Sequence, residues 1–150
     1  LIDLEDTTAL DLFSGTGSIA FELVSRGCRA VTAVEKNNAH AGFIAKVAKE
    51  LKTDTLRLIR GDVFRYLNSA PKQGFDLIFA DPPYALPELP DVPRIVLEQD
   101  LLRDGGVFVM EHSKANDFSD LPYFYQHRSY GSVNFSLFWK EPTIMEKTDA

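Results

Sequence analysis

Apolar and polar positions along this chain fall into two alternating rhythms. The runs ALDLF (9–13), AVTAVE (30–35), TLRLIR (55–60), FDLIFA (75–80) and VFVME (107–111) are short and nearly continuous in apolar residues, as strands buried on both faces require. Longer stretches with a partial helical period separate them. IAFELVSRG (19–27) reads as a helix with Ile19, Phe21, Leu23 and Val24 partly lining one face and Gly27 as its stop. NNAHAGFIAKVAKEL (37–51) is a helix that Asn37 or Asn38 caps, DVFRYLNS (62–69) a short helix started by Asp62, and DVPRIVLEQDLL (91–102) a helix ahead of the turn RDGG. Two strand-like runs, YFYQHRSYG (123–131) and VNFSLFWK (133–140), close the chain as a hairpin around Gly131 and Ser132.

Strands alternating with helices imply parallel βαβ units with right-handed crossovers and helices on both faces of the sheet. The expected fold is α/β: a doubly wound, mostly parallel, seven-stranded sheet ending in an antiparallel hairpin. No repeat or linker divides the chain, so residues 1–150 are expected to form one domain. Ligands of such sheets sit at the carboxyl ends of the strands. There the sequence puts Asp11 with a glycine turn, then Glu35, Asp62, Asp81 with two prolines, and Glu111. Each strand end carries an acid.

Composition narrows the class. No apolar stretch approaches the length of a membrane span and no signal-peptide pattern opens the chain, so a cytoplasmic protein is expected. A single cysteine, Cys28, excludes an internal disulfide and points to a reducing compartment, while three isolated histidines offer no metal-ligand spacing. The net charge of −6 argues against a stand-alone polyanion binder, because phosphate neutralisation needs Lys and Arg. The chain also opens without methionine shortly before its first strand, and a preceding segment is expected to be missing.

In DLFSGTGSIA, Gly15, Gly17 and Ala20 have the spacing of a dinucleotide-type turn between strand and helix. Glycines let the backbone approach a ligand, and the helix N-terminus offers unpaired N–H groups. Glu35 ends the next strand, where an acid grips ribose hydroxyls. This much fits NAD and S-adenosylmethionine equally. Asp11 is placed to hold turn amides or meet a cationic amino acid moiety; Asp62 caps its helix, and the neighbouring Val63 amide faces a base. So acidic a rim repels a pyrophosphate and favours the sulfonium and ammonium of S-adenosylmethionine.

The segment FDLIFADPPY adds chemistry. An exocyclic aromatic amine is a poor nucleophile, and a site that methylates it must accept hydrogen bonds from both its N–H groups. Asp81 supplies one acceptor and the Pro82 carbonyl a second, held rigid by Pro82 and Pro83. Tyr84 stacks on the base and aligns the amine. The bland alternatives are a strand stopped by prolines and a tyrosine packed on the surface.

With LDLFSGTGSIAFELVSRG, AVEKN, GD, FADPPY and the terminal YG (130–131), the chain resembles the RsmD family of bacterial 16S ribosomal RNA guanine-N2 methyltransferases, from about Ala9 to Trp139. The resemblance implies a class I, Rossmann-like methyltransferase fold. It implies S-adenosylmethionine held by the turn from Asp11 through Phe13, Ser14, Gly15 and Gly17 to Ser18, with Glu35 on the ribose, Asp62 and Val63 near the adenine, and Lys36 and Asp81 among the other cofactor-binding residues. It implies Asp81, Pro82, Pro83 and Tyr84 as the catalytic motif, acting without a metal on 16S rRNA in an assembling small ribosomal subunit, away from any membrane and as a monomer. Family members carry a basic N-terminal hairpin and helix with no counterpart here. Rival readings are an amino-methyltransferase acting on adenine N6 or a protein glutamine, and a non-catalytic nucleotide-binding module. At the fifth strand end, Glu111 and His112 are either substrate contacts or simple strand-end residues, and the loop from Ala85 to Pro93 is expected to rim the target base.

Overall fold

Each apolar run does form a strand in the computed structural model, which describes residues 3–142. The strands are β1 (Thr8–Leu12), β2 (Ala30–Glu35), β3 (Leu56–Arg60), β4 (Phe75–Ala80), β5 (Leu102–His112), β6 (Phe124–Tyr130) and β7 (Val133–Trp139). The helices are α1 (Ser18–Ser25), α2 (Asn38–Glu50), α3 (Val63–Ser69) and α4 (Val92–Glu98). One sheet has the order β3-β2-β1-β4-β5-β7-β6. Neighbours are parallel from β3 to β5, and β7 runs antiparallel between β5 and β6. The chain order therefore reverses between β1 and β4, and a crevice opens at their carboxyl ends.

Residue size sorts the two faces of this sheet. On one face the small side chains Ala9, Ala33 and Ala20 let α1 lie close, with Leu23, Val31, Leu77 and Val107 filling the remainder. The other face buries larger groups, Leu10, Leu12, Ile78, Phe108 and Phe138, beneath Leu67 of α3 and Val96 of α4. Strand periodicity makes the division: Leu10 and Leu12 point one way, Ala9 and Asp11 the other. Asp11 thus occupies a core position under α1, only 2% exposed.

The structure departs from the sequence expectations in four places. α4 ends at Glu98, not at Leu102, because Asp100 turns left-handed (φ 54°) and sends Leu101 and Leu102 into the core. Leu102 then pairs with Phe75 while Val107 pairs with Leu77, so RDGG is a bulge within β5 rather than a turn ahead of it. Gly105 carries the positive φ of 82° that this bulge needs. At the start of α1, Ile19 faces the crevice instead of the core, which Ala20 and Leu23 supply. Finally, the loop after β4 is tied down by a short 3-10 helix (Leu89–Asp91) whose Leu89 is buried, so only its first part, through Leu86, borders the crevice.

Candidate functional site

The crevice is a cleft of about 660 Å³ at the carboxyl ends of β1, β2 and β4. Its first wall is the turn after β1. Phe13 (φ 57°), Gly15 (φ 59°) and Gly17 (φ 87°) alternate through the left-handed region, and this folds the chain back into α1. The two glycines answer different demands. A Cβ on Gly17 would lie 3.0 Å from Ile44 Cγ1 and from Phe21 Cε2, so this glycine permits helix packing. At Gly15 a Cβ would meet nothing within 4 Å; that position leaves backbone open to the cleft.

Carboxylates hold the turn in place. Ser14 Oγ donates to Asp11 Oδ2 at 2.7 Å, and the Ala20 N–H also donates to Asp11. Burial pushes the Asp11 carboxyl up to about 7; these hydrogen bonds pull against the rise, and the charges of Asp81 and Glu35 add to it. Glu35, at the end of β2, accepts the Gly15 N–H (2.7 Å) on one oxygen and the Asn37 N–H (2.9 Å) on the other. Each oxygen has a second lone pair, so Glu35 keeps acceptor capacity toward the cleft. Asn37 in turn caps α2 through the His40 N–H (3.0 Å).

The third βα loop supplies Asp62 and Val63. Asp62 caps α3 by accepting the Arg65 N–H at 3.1 Å, and both residues line the cleft, so capping and cleft position coexist. Phe64, one residue on, packs edge-to-face on Phe13 with centroids 6.3 Å apart, giving the wall an apolar stretch.

Across the cleft, β4 ends in Asp81, Pro82, Pro83 and Tyr84. Pro82 is buried, while Asp81 and Tyr84 are exposed, Tyr84 to 64%. The Pro83 carbonyl accepts the Leu86 N–H (2.9 Å), which closes a turn behind the motif. The Asp81 carboxyl is pushed up to about 7, first by partial loss of water and then by Glu111, which hydrogen-bonds it and repels its charge.

All the cleft residues named from the sequence border this space except Gly17, which packs behind it; Lys36 stands at the rim beside Glu35. The sequence reading left out Thr16, Ile19, Asn37, His40 and Phe64. Ile19 looked like a core residue, and the others sit next to motif residues without a chemical signature of their own. Glu111 and His112 separate by strand alternation. Glu111 faces the cleft, whereas His112 is fully buried on the other face, between the Ser113 carbonyl (2.7 Å) and the Ser136 hydroxyl (2.7 Å). A carbonyl only accepts, so Nδ1 carries the proton and Ser136 donates to Nε2. His112 therefore has no access to a ligand in the cleft.

Comparison with known proteins adds the family. Over 108 residues the chain is 26% identical to ribosomal RNA small subunit methyltransferase D of Buchnera aphidicola; the match takes in 72% of this chain and 55% of that protein, so the chain spans little more than half its length. A conserved hypothetical protein of Streptococcus pyogenes has a similar structure, with TM-score 0.78 and 28% identity over 91% of this chain and 88% of its own. An RNA methyltransferase of Salinibacter ruber, solved with S-adenosyl-L-homocysteine, shares the fold at TM-score 0.71 and 18% identity, with 99% and 90% of the two chains covered. Residues 2–139 match the family described as Conserved hypothetical protein 95, and the chain belongs to it, the RsmD family that its motifs resemble.

Proposed function

We propose that this chain carries an S-adenosylmethionine-dependent amino-methyltransferase site acting on ribosomal RNA, with the N2 amine of a guanine in 16S rRNA as its target. The observation that carries the reading is one cleft with a glycine turn and ribose-gripping acid on one wall and Asp81-Pro82-Pro83-Tyr84 on the other. The residues fit the cofactor: Gly15 leaves open space where a Cβ would stand, and Glu35 retains lone pairs beside it. When bound, the cofactor supplies an electrophilic methyl on a sulfonium.

The chain's own groups do the remainder. The turn residues Phe13, Ser14 and Ser18, with Gly17 fixing its path, bind the amino acid end, and buried Asp11 puts negative charge behind it. Glu35 and Lys36 hold the ribose, while Asp62 and the Val63 amide meet the adenine edge beside Phe64. Asp81 and the Pro82 carbonyl accept the two N–H groups of the target amine and draw its nitrogen toward tetrahedral geometry. Tyr84 stacks on the base, an orienting effect that removes rotational freedom before reaction. The name of the Buchnera relative supports a small-subunit RNA substrate, and the resemblance of the motifs to the RsmD family supports guanine as the base. On this reading the protein acts as a monomer in the cytoplasm on an assembling particle, with no metal.

Incubating small-subunit particles with labelled S-adenosylmethionine, followed by mass mapping of the RNA, tests the proposal. New N2-methylguanine is expected. Label found only in N6-methyladenine or in a protein glutamine would overturn the target. Tight binding of NAD with no binding of S-adenosylhomocysteine would overturn the enzyme.

A further inference from the structure

The ends of β4 and β5 lie side by side. Ala80 pairs with Met110 in parallel register, which brings the next residues, Asp81 and Glu111, to the same level of the sheet edge. Both carboxyls line the cleft and they hydrogen-bond each other. Two carboxyl groups in a hydrogen bond must share a proton, because a carboxylate oxygen cannot donate.

We propose that Glu111 is a positioning residue for methyl transfer: it accepts the shared proton's hydrogen bond from one oxygen of Asp81 and so turns the other toward the target amine. The inference rests on the amino-methyltransferase reading and adds to it a residue that acts through Asp81. In the reactive state the pair carries one proton and one negative charge. The N–C bond forms as the C–S bond breaks, with the bonding electrons left on sulfur, and the nitrogen becomes cationic. It then gives one proton to the free Asp81 oxygen. The pair now holds two protons, and one of them leaves to water through the open cleft.

The arrangement predicts a pH dependence. Below about pH 7 Asp81 carries the shared proton and the pair is held together; above it both carboxyls are ionised and repel, the alignment is lost, and transfer slows as pH rises. Other charged groups face the pair from β1 (Asp11), β2 (Glu35, with Lys36 at the rim) and the head of α3 (Asp62). From the hairpin, Arg128 pairs with Phe135, which itself pairs with Glu111. Of all these, Glu111 alone touches Asp81. Removing its charge lowers the Asp81 pKa, and the remaining acids stay as they were.

Glu111→Gln keeps the shape and a hydrogen-bond partner for Asp81 but removes the second ionisable carboxyl. Carboxyl-carbon NMR titration of the whole protein reads the pair without substrate. Asp81 should titrate at least about one pH unit lower in Glu111→Gln than in wild type. The alkaline limb that wild type shows near pH 7 in its kcat–pH profile on small-subunit particles should be absent in Glu111→Gln, while S-adenosylhomocysteine affinity stays unchanged. An Asp81 titration that is the same in both proteins overturns the shared proton. A shifted titration with the same alkaline limb in both proteins overturns the role of the pair in transfer. If wild type methylates no RNA at any pH, the failure belongs to the proposed function, and the NMR result still decides the pair.

Discussion

Asp11 and Asp81 end neighbouring strands, β1 and β4, and both are pushed up to about 7, yet they stand in opposite surroundings. Asp11 is 2% exposed under α1, held by the Ser14 hydroxyl and the Ala20 amide. Its shift records the work of withdrawing a carboxylate from water. Asp81 is exposed at the cleft, and its surroundings include a second acid, Glu111. The buried group is committed to the scaffold of the turn, whereas the exposed one can meet a substrate. Equal pKa values therefore describe different jobs, and substitution should separate them.

The sharpest separation comes from Asp81→Asn. It should slow methyl transfer by about 10²- to 10⁴-fold, the range for losing a positioned proton acceptor. Cofactor affinity, measured by calorimetry with S-adenosylhomocysteine, should stay within a few-fold. A comparable loss of affinity would place Asp81 in the cofactor half of the cleft.

Asp11 predicts a stability effect instead. Its folded pKa of about 7 lies well above that of an ordinary aspartate, so the native state binds more protons than the unfolded chain between about pH 4 and 7. Its contribution is therefore fully present below about pH 4 and lost as pH rises through 7, by an amount of order 4 kcal/mol. Denaturant titrations at pH 5 and pH 8 should show wild type losing more stability with rising pH than Asp11→Asn does. Parallel curves would mean that Asp11 is not the group responsible.

Glu35→Ala attacks the same wall from the cleft side. It removes the acceptor of the Gly15 and Asn37 amides as well as the proposed ribose contact, and should weaken S-adenosylhomocysteine binding by about 10- to 100-fold. Its effect on kcat at saturating cofactor should be small, the reverse of Asp81→Asn. Least in magnitude, Gly17→Ala should cost about 1–2 kcal/mol in thermal or denaturant unfolding, since its φ of 87° and the close approach of Ile44 and Phe21 both oppose a Cβ. Gly15→Ala meets no such neighbour, so it should show a larger share of its effect in ligand binding.

How far the sequence reached follows from the range of the interactions involved. Apolar runs and their alternation with helical stretches gave the seven strands and their order of type, because burial on both faces imposes a local pattern that a reader can see. The cap at Asn37, the cap at Asp62 and the stop at Gly27 were legible for the same reason, each being set by a few adjacent residues. RDGG misled because a bulge and a turn use the same glycines. Only the pairing of Leu102 with Phe75 tells them apart. Ile19 misled because its periodicity fits the core, while the turn before it rotates the first residues of α1 toward the cleft.

By itself, then, the sequence determined the strand–helix alternation, the glycine turn and the acids that end the strands, since these depend on residue type and near neighbours. Tertiary structure decided what those acids are to one another. Burial of Asp11 beneath α1, Glu35 gripping the amide of Gly15, and Glu111 beside Asp81 while His112 turns away all come from strand order and register. Those pairings join residues far apart in the chain, and no local pattern encodes the distance between them.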